Sequence, residues 1–525
     1  MAKGASLTFY NVAICVVVAS GAFTYGFGFA VFITSIGQPG FFLYFDLDPS
    51  STYTANVLGA VNALFAFGAA VGAILQGMTA DWLGRKKALG LAGLCALIGG
   101  ALAAGSVAIE MLIIVRILQG IGLGMLICLV PLYTTEVAPA HKRGLLASTT
   151  VMGFASGYTV CALVSLGTNQ STNLTLQWRM PLALACAGPV VLLVGLFFIP
   201  ESPRYLVWVN KHDEAWPVLQ RIHNDPSDPT DAIARAELTQ ITRQVDFDKE
   251  QKAGYIQMFI KPSWRKRSIL VMILMFAAQS TGILGIANYI VFISTSLGMT
   301  GSMPLIIYAI YSVIGTTSTF VHSFFLDRVG RRTYFLIGFP SLAACLLAEA
   351  LLQWKYLGTG NKAGNAACLV VMFVYIILFQ TIDTASFVWA AEVFPTTIRA
   401  KGLGLTMFAY FVGAITYTTP AALAFKNIKF GMYLLWCGLC LLSTVFVYYY
   451  IPETKCLPVE EIGALFGDDV MVHLTADGHG IVEAEKELAI TRNNDDGDGT
   501  SSVAGEQGKS DEKRGSSQHQ EVANV

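Results

Sequence analysis

Charge is scarce in this chain, and what there is cancels. Only 13% of its 525 residues are Asp, Glu, Lys or Arg, against about 25% in a soluble protein, and the formal net charge is −1. That balance excludes a nucleic-acid-binding protein and a strongly basic membrane-surface protein. Clustered cysteines are missing too. Of the ten, nine (from Cys15 to Cys440) fall within apolar segments and Cys456 lies just beyond the last. This excludes a disulfide framework or a zinc site and leaves them as packing residues. No nucleophile–base arrangement, metal-ligand cluster or phosphate loop is recognisable, so neither an enzyme, a metal nor a cofactor is expected. A cleavable signal peptide is also lacking, because the first apolar stretch, from about Phe9, runs well past signal length and reads as a first span.

Apolar sequence fills the space that charge leaves. Runs of about 20 apolar residues, the length that crosses a bilayer, centre near 22, 67, 97, 121, 156, 189, 281, 315, 343, 378, 413 and 440. The expected organisation is an all-α membrane protein of twelve transmembrane helices. A first six-helix bundle occupies 1–200, a polar central loop 201–267, a second six-helix bundle 268–452 and a polar, largely disordered tail 453–525. The loop should hold a few short helices, one over Ala232 to Val245, interrupted by Asp225 to Pro229.

Lys and Arg set the orientation. One set of short loops holds Arg85, Lys86, Lys87, Lys142, Arg143, Arg328, Arg331, Arg332, Arg399 and Lys401, whereas the other holds Lys355, Lys362, Lys426 and Lys429. The positive-inside rule then puts both termini and the central loop in the cytoplasm. Two glycosylation acceptors, Asn169 and Asn173, fall in the outer loop after span five, which agrees.

Three charged patterns occur twice in the same order. Asp81-Trp82-Leu83-Gly84-Arg85-Lys86 returns 246 residues later as Asp327-Arg328-Val329-Gly330-Arg331-Arg332. The stretch from Glu136 to Arg143 returns 256 residues on as Glu392 to Arg399, and Pro200-Glu201-Ser202 returns after 252 as Pro452-Glu453-Thr454. A near-constant offset means one unit written twice, and a duplicated membrane bundle is the usual architecture of an alternating-access carrier. The glycines permit tight turns. The paired acids and bases are expected to lock the two halves together at one membrane face in one conformation and release them in the other. Arg116, inside span four and followed by Gly120, Gly122 and Gly124, is expected to join this gate by pairing with Glu136, Glu201 or an acid of the other half.

These motifs, with Pro131 to Glu136, Arg143-Gly144, Pro200 to Arg204 and Pro452 to Lys455, resemble the sugar porter family of the major facilitator superfamily over nearly the whole membrane portion. The resemblance implies two six-helix bundles rocking about a central cavity. It also implies a conformational gate at Asp81, Gly84, Arg85, Arg116, Glu136, Arg143, Glu201, Asp327, Gly330, Arg331, Glu392, Arg399 and Glu453.

The cavity positions depart from the family. Its span-seven amide pattern reads here Ala278-Gln279-Ser280-Thr281-Gly282-Ile283-Leu284, so only Gln279 survives. The other usual amide positions fall on Val151, Gly315, Tyr410 and Phe411, and the span-one aspartate of proton-coupled members falls on Gly26. Unpaired polar groups cost about 1–3 kcal/mol each, so this cavity would bind a hexose poorly and suits a smaller, flatter or more apolar ligand. Asp383, mid-span in span ten, is expected to bind substrate or a proton. The expected substrate-binding set is Gln279, Asn288, Tyr289, Asp383, Phe387 and Trp389, the rings stacking on the ligand.

The functional expectation is a plasma-membrane secondary transporter of a sugar, polyol or sugar-like small molecule, either a uniporter or a proton symporter. An exporter of a small secondary metabolite is the alternative on the same scaffold, and a non-transporting nutrient receptor is the alternative of another class. Partners are the substrate, the lipid bilayer and protons, with no nucleic acid.

Overall fold

The computed structural model describes residues 9–49, 51–137, 143–223, 231–250, 254–395, 397–455, 462–463 and 465–467. Twelve helices among them are long and apolar enough to cross a bilayer: spans 1 (Tyr10–Ser35), 2 (Thr52–Leu83), 3 (Arg85–Ala104), 4 (Ile109–Val137), 5 (Thr149–Thr168), 6 (Leu174–Gly195), 7 (Pro262–Ser296), 8 (Met303–Val329), 9 (Arg331–Tyr356), 10 (Lys362–Val393), 11 (Arg399–Asn427) and 12 (Gly431–Tyr450). Each expected centre falls inside one of them. Helices are the form such sequence must take, because lipid offers no partner for backbone N–H and C=O groups. Side-chain caps at Ser51, Asn173 and Asn361 start spans 2, 6 and 10 by accepting backbone N–H groups of the first turn.

Spans 1–6 and 7–12 form two halves that meet chiefly where span 2 packs on span 11 and span 5 on span 8. Inside the first half, helices approach until backbones touch. A Cβ added to Gly68 would lie 2.2 Å from Ile117 O, and one added to Gly124 2.1 Å from Ala69 O. Small residues at such crossings supply the packing energy that lipid-exposed helices cannot draw from the hydrophobic effect.

Span 7 is broken into Pro262–Gln279 and Ile283–Ser296 by Gly282, at φ +88°. Only glycine fits there, since a Cβ would sit 2.2 Å from the Trp436 ring and the backbone is left-handed. Span 11 is likewise interrupted before Ala421 by Pro420. The span 7 helix starts at Pro262, inside the stretch expected to be loop.

Between the halves run short helices Pro203–Trp208, His212–Ile222, Ala232–Glu250 and Tyr255–Ile260. The first three share a small core of Leu206, Val207, Ala215 and Val245. Asn11 ties them to span 1 by donating to Ile222 O at 2.9 Å. The expected break at 225–229 and the tail from 468 onward lie outside the described residues.

Candidate functional site

The duplicated motifs fold into two copies of one cluster at the same end of the bundle, here termed the motif end. In the first, Arg85 grips Glu136 with two hydrogen bonds, Nε to Oε2 at 2.9 Å and a terminal nitrogen to Oε1 at 3.0 Å. Ser202 Oγ donates to the same carboxylate at 2.5 Å. Glu201 accepts the backbone N–H of Lys86 (3.0 Å) and of Ser202 (2.9 Å), so its carboxylate caps the start of span 3. Burial pushes the Glu201 carboxyl above its usual range, opposed by those amides and by Arg85.

The second cluster repeats this plan with one Arg–Glu hydrogen bond in place of two. Arg331 donates to Glu392 at 2.7 Å and Thr454 Oγ1 to the same carboxylate at 2.8 Å. Glu453 accepts the backbone N–H of Arg331 (2.9 Å) and Arg332 (3.0 Å), capping span 9. Gly84 and Gly330 are required between, at φ +88° and +103°, because a Cβ at either would lie 2.7 Å from the capping carboxylate.

Both clusters are internal to their own half, which narrows the expected role of the motifs. The contacts that cross between halves at the motif end are different ones. Lys401 Nζ meets Asp81 Oδ2 at 2.5 Å, Gln76 donates to Ala400 O at 2.8 Å and Tyr255 Oη donates to Ile74 O at 2.9 Å. Of the motif acids, Asp81 thus reaches across, while Asp327 is 78% exposed and, among the described residues, pairs only with Arg331 at 2.8 Å. Lys401 was not anticipated as a gate residue. The repeat gave no signal for it, since the 256-residue offset puts Leu145 at the matching position. Arg399 turns back to Phe394 O, and the Arg143 side chain lies outside the described residues.

Arg116 is not part of this gate. It stands twenty residues from Glu136 on one helix, about 30 Å away along the axis, toward the far end. No acid meets it. It donates to Gln119 Oε1 at 2.7 Å and lies over the Phe65 and Phe32 rings, 4.1 and 5.1 Å from their centroids. Cation–π contact and an amide replace the expected carboxylate.

At the far end the halves also touch. Asn169 Nδ2 donates to Ser302 Oγ at 3.0 Å, and Phe42 packs edge-on against Phe292 at 6.0 Å. Arg179, a base absent from the expected outer set, donates to Ser106 O and stacks on Tyr44 and Trp178 there. Asn169, the first glycosylation acceptor, is therefore engaged across the halves, whereas Asn173 is exposed and uses its Oδ1 to cap span 6.

Between the two ends, at the seam of the halves, lies a cavity of about 120 Å³. At about 10–15 Å³ per water-sized sphere this holds about ten waters, the scale of a monosaccharide. Spans 1 and 5 contribute Phe29, Phe154 and Tyr158, span 8 Tyr308, Tyr311, Ser312, Thr316 and Thr319, and span 10 Phe379, Gln380, Asp383 and Phe387. Leu284, Gly315 and Tyr410 complete the wall as expected, but Val151, Ala278 and Phe411 are not in it. Thr319 donates to Gln380 Oε1 at 2.9 Å, which leaves the Gln380 amide nitrogen turned to the cavity beside Gly315. The Asp383 carboxylate has no hydrogen bond or ion pair among the described residues, and the hydroxyls of Tyr25, Tyr158 and Tyr410 lie in its field.

Of the expected substrate-binding set, Asp383 and Phe387 line this cavity and four residues do not. Trp389 faces away and donates its indole N–H to Pro452 O at 3.3 Å. Asn288 and Tyr289 are buried among helices, and Gln279 lies behind Tyr410. Sequence reasoning missed Phe379 and Gln380, although they sit four and three residues before Asp383, on the same helix face. A further intramembrane acid, Glu349, is enclosed within the second half, where its Oε1 accepts Gln353 Nε2 at 2.6 Å.

Comparison with known proteins agrees with this architecture. The family model described as "Sugar (and other) transporter" matches residues 14–466. The MFS-type transporter criB of Aspergillus cristatus is 31% identical over 463 residues, covering 87% of this chain and 94% of that protein. The low-affinity glucose transporter HXT3 of Saccharomyces cerevisiae is 28% identical, covering 87% and 82%. In three dimensions the chain superimposes on the proton:xylose symporter XylE bound to 6-bromo-6-deoxy-D-glucose with a TM-score of 0.74 at 24% identity, covering 88% of this chain and 100% of that one. That likeness shows the fold. With its two matched half-bundles and its paired motif clusters, the chain belongs to the sugar (and other) transporter family of major facilitator secondary transporters.

Proposed function

We propose that this carrier takes one sugar, polyol or sugar-like small molecule at a time through the seam cavity, with its cycle coupled to protons at Asp383. The observation that carries the reading is a lone carboxylate in a monosaccharide-sized cavity at the seam, with contacts between the halves at both ends of the bundle. Opening one set of contacts while keeping the other is alternating access. Two closed states need differ by only a few kcal/mol for cargo to shift them.

The Lys and Arg distribution supports a cytoplasmic motif end, with both termini and the central helices inside and the far end facing outward at the plasma membrane. The exposed Asn173 is then the favoured glycan acceptor. No enzymatic role is assigned. A second reading, export of a small secondary metabolite, is favoured by the aromatic lining, and differs in direction rather than in site. The intact gate clusters favour a carrier over a receptor.

The test is uptake into liposomes holding the purified protein, with and without a pH gradient, over a panel of sugars and polyols. Asp383→Asn should abolish or uncouple transport while surface expression is retained. Unaltered, still pH-dependent uptake by that variant rules out the role given to Asp383.

A further inference from the structure

We propose that the cavity selects a monocationic amine, held by Asp383 within a cage of aromatic rings and exchanged there for a proton. The inference rests on the reading of the cavity as the transport site and names the chemistry of its cargo.

Phe379, Asp383 and Phe387 recur at intervals of four on span 10, so they share one face. At 1.5 Å per residue the two rings stand about 6 Å above and below the carboxylate. Further rings close the sides: Tyr25 packs on Phe154 at 5.8 Å, Phe154 on Phe387 at 6.1 Å and Phe387 on Tyr410 at 6.1 Å. A cation seated on Asp383 would therefore lie among several aromatic rings, whose quadrupoles attract positive charge within about 6 Å of a ring centroid.

The charge balance points the same way. No Lys, Arg or His lines the cavity among the described residues. Arg116, a buried base within the spans of the first half, is already occupied by Gln119, Phe65 and Phe32. The other titratable groups facing Asp383 or lining its cavity are phenols, Tyr25 from span 1, Tyr158 from span 5, Tyr308 and Tyr311 from span 8 and Tyr410 from span 11, which are neutral at physiological pH. An ionised carboxylate closed away from water needs a positive partner. In each closed state that partner is either a proton or the cargo. A neutral hexose supplies neither: Ser312, Thr316, Thr319 and Gln380 offer its hydroxyls hydrogen bonds but leave the carboxylate without a positive partner.

One site shared by a proton and a monocation gives a balanced exchange. When the cavity opens, the carboxylic acid releases its proton to that side's water, and the ammonium ion of the cargo takes its place on the carboxylate. On the other side the steps reverse, so one proton moves against one monocation and no net charge crosses.

The test uses full-length purified protein and two pairs of near-isosteres, phenethylamine with 2-phenylethanol and glucosamine with glucose, together with tetraethylammonium, whose charge does not vary with pH. Ligand-induced shifts in thermal unfolding and flux into liposomes are read. In both pairs the amine should act at a concentration at least about tenfold lower than its neutral partner. Tetraethylammonium uptake should be driven by an acid interior, and its apparent affinity should weaken as the medium is acidified. Asp383→Asn should lose the amine response, Asp383→Glu should recover part of it, and Phe387→Leu should weaken it about tenfold with an unchanged unfolding temperature. Neutral members that match or exceed their amines, or tetraethylammonium flux indifferent to the gradient, would overturn the proposal. Saturable glucose flux with no competition from any amine refutes the amine cage and leaves the carrier standing. Absence of any saturable flux or unfolding shift from folded protein refutes both.

Discussion

Lys401→Ala removes the one ion pair that joins the halves at the motif end among the described residues. Its nitrogen meets Asp81 Oδ2 at 2.5 Å, the lysine side chain being 16% exposed and the aspartate 35%. Exposed pairs are worth about 0–1 kcal/mol. This one, half-shielded on the lysine side and partly open to water on the aspartate side, is placed near the upper end of that range, about 1 kcal/mol. A loss of that size multiplies the ratio of motif-end-open to motif-end-closed molecules by about five. A natural reporter lies at the same seam. Cys128 of span 4 is 2% exposed and points its sulfur at Leu403 O of span 11 at 3.9 Å, so it becomes reachable only when spans 4 and 11 part. The expected result is an approximately fivefold faster alkylation of Cys128 by a small maleimide in Lys401→Ala, read by peptide mass spectrometry. Asp81→Asn should give a similar acceleration, and the double variant no more than either alone. An unchanged Cys128 rate in Lys401→Ala refutes the assignment of this pair as a closing contact.

Other substitutions separate structure from mechanism. Gly282→Ala forces a Cβ onto the Trp436 ring in left-handed backbone and should cost 2 kcal/mol or more, on the order of the strain plus the clash, whereas Gly301→Ala, also at positive φ but with open space around it, should cost only about 1 kcal/mol; thermal unfolding in detergent compares them. Arg85→Ala strands Glu136 in a site where both side chains are under 10% exposed, so it should destabilise by about 3 kcal/mol, more than Arg331→Ala, whose partner Glu392 is 25% exposed. On expression in a eukaryotic host, Asn173→Gln should remove a glycan detectable by glycosidase treatment and gel mobility. Asn169→Gln should leave that glycan in place, because the Asn169 amide nitrogen is held by Ser302.

What the sequence made legible follows from contrast. A few charges in an apolar background stand out, so the offset between the Asp81 and Asp327 motifs, and the pairing of Glu201 with Glu453, could be read without coordinates, and the twelve spans with them. Depth and facing were harder. Its charge, the glycines after it and the family resemblance all put Arg116 with the gate, although its distance from Glu136 along one helix places it near the opposite face. The cavity set suffered from a more basic difficulty. Spans that are apolar on every side carry no periodic signal to show which face looks inward. Family register therefore nominated Gln279, and aromatic character nominated Tyr289 and Trp389, yet all three point elsewhere. Asp383 does line the cavity, in keeping with the rule that a carboxylate in a span must face a partner or a cavity. Applying the helix repeat outward from Asp383 would have found Phe379 and Gln380 as well as Phe387.

The central claim is that the halves rock about the seam, with the motif end opening and closing in each cycle. It is tested most directly by tethering that end shut. In a variant carrying Asp81→Cys and Lys401→Cys, a short bis-thiol-reactive linker joins span 2 to span 11 where the native ion pair stood. Transport in liposomes should stop on linking and return when a reducible linker is cleaved. Transport at the full rate with the linker in place would contradict the account.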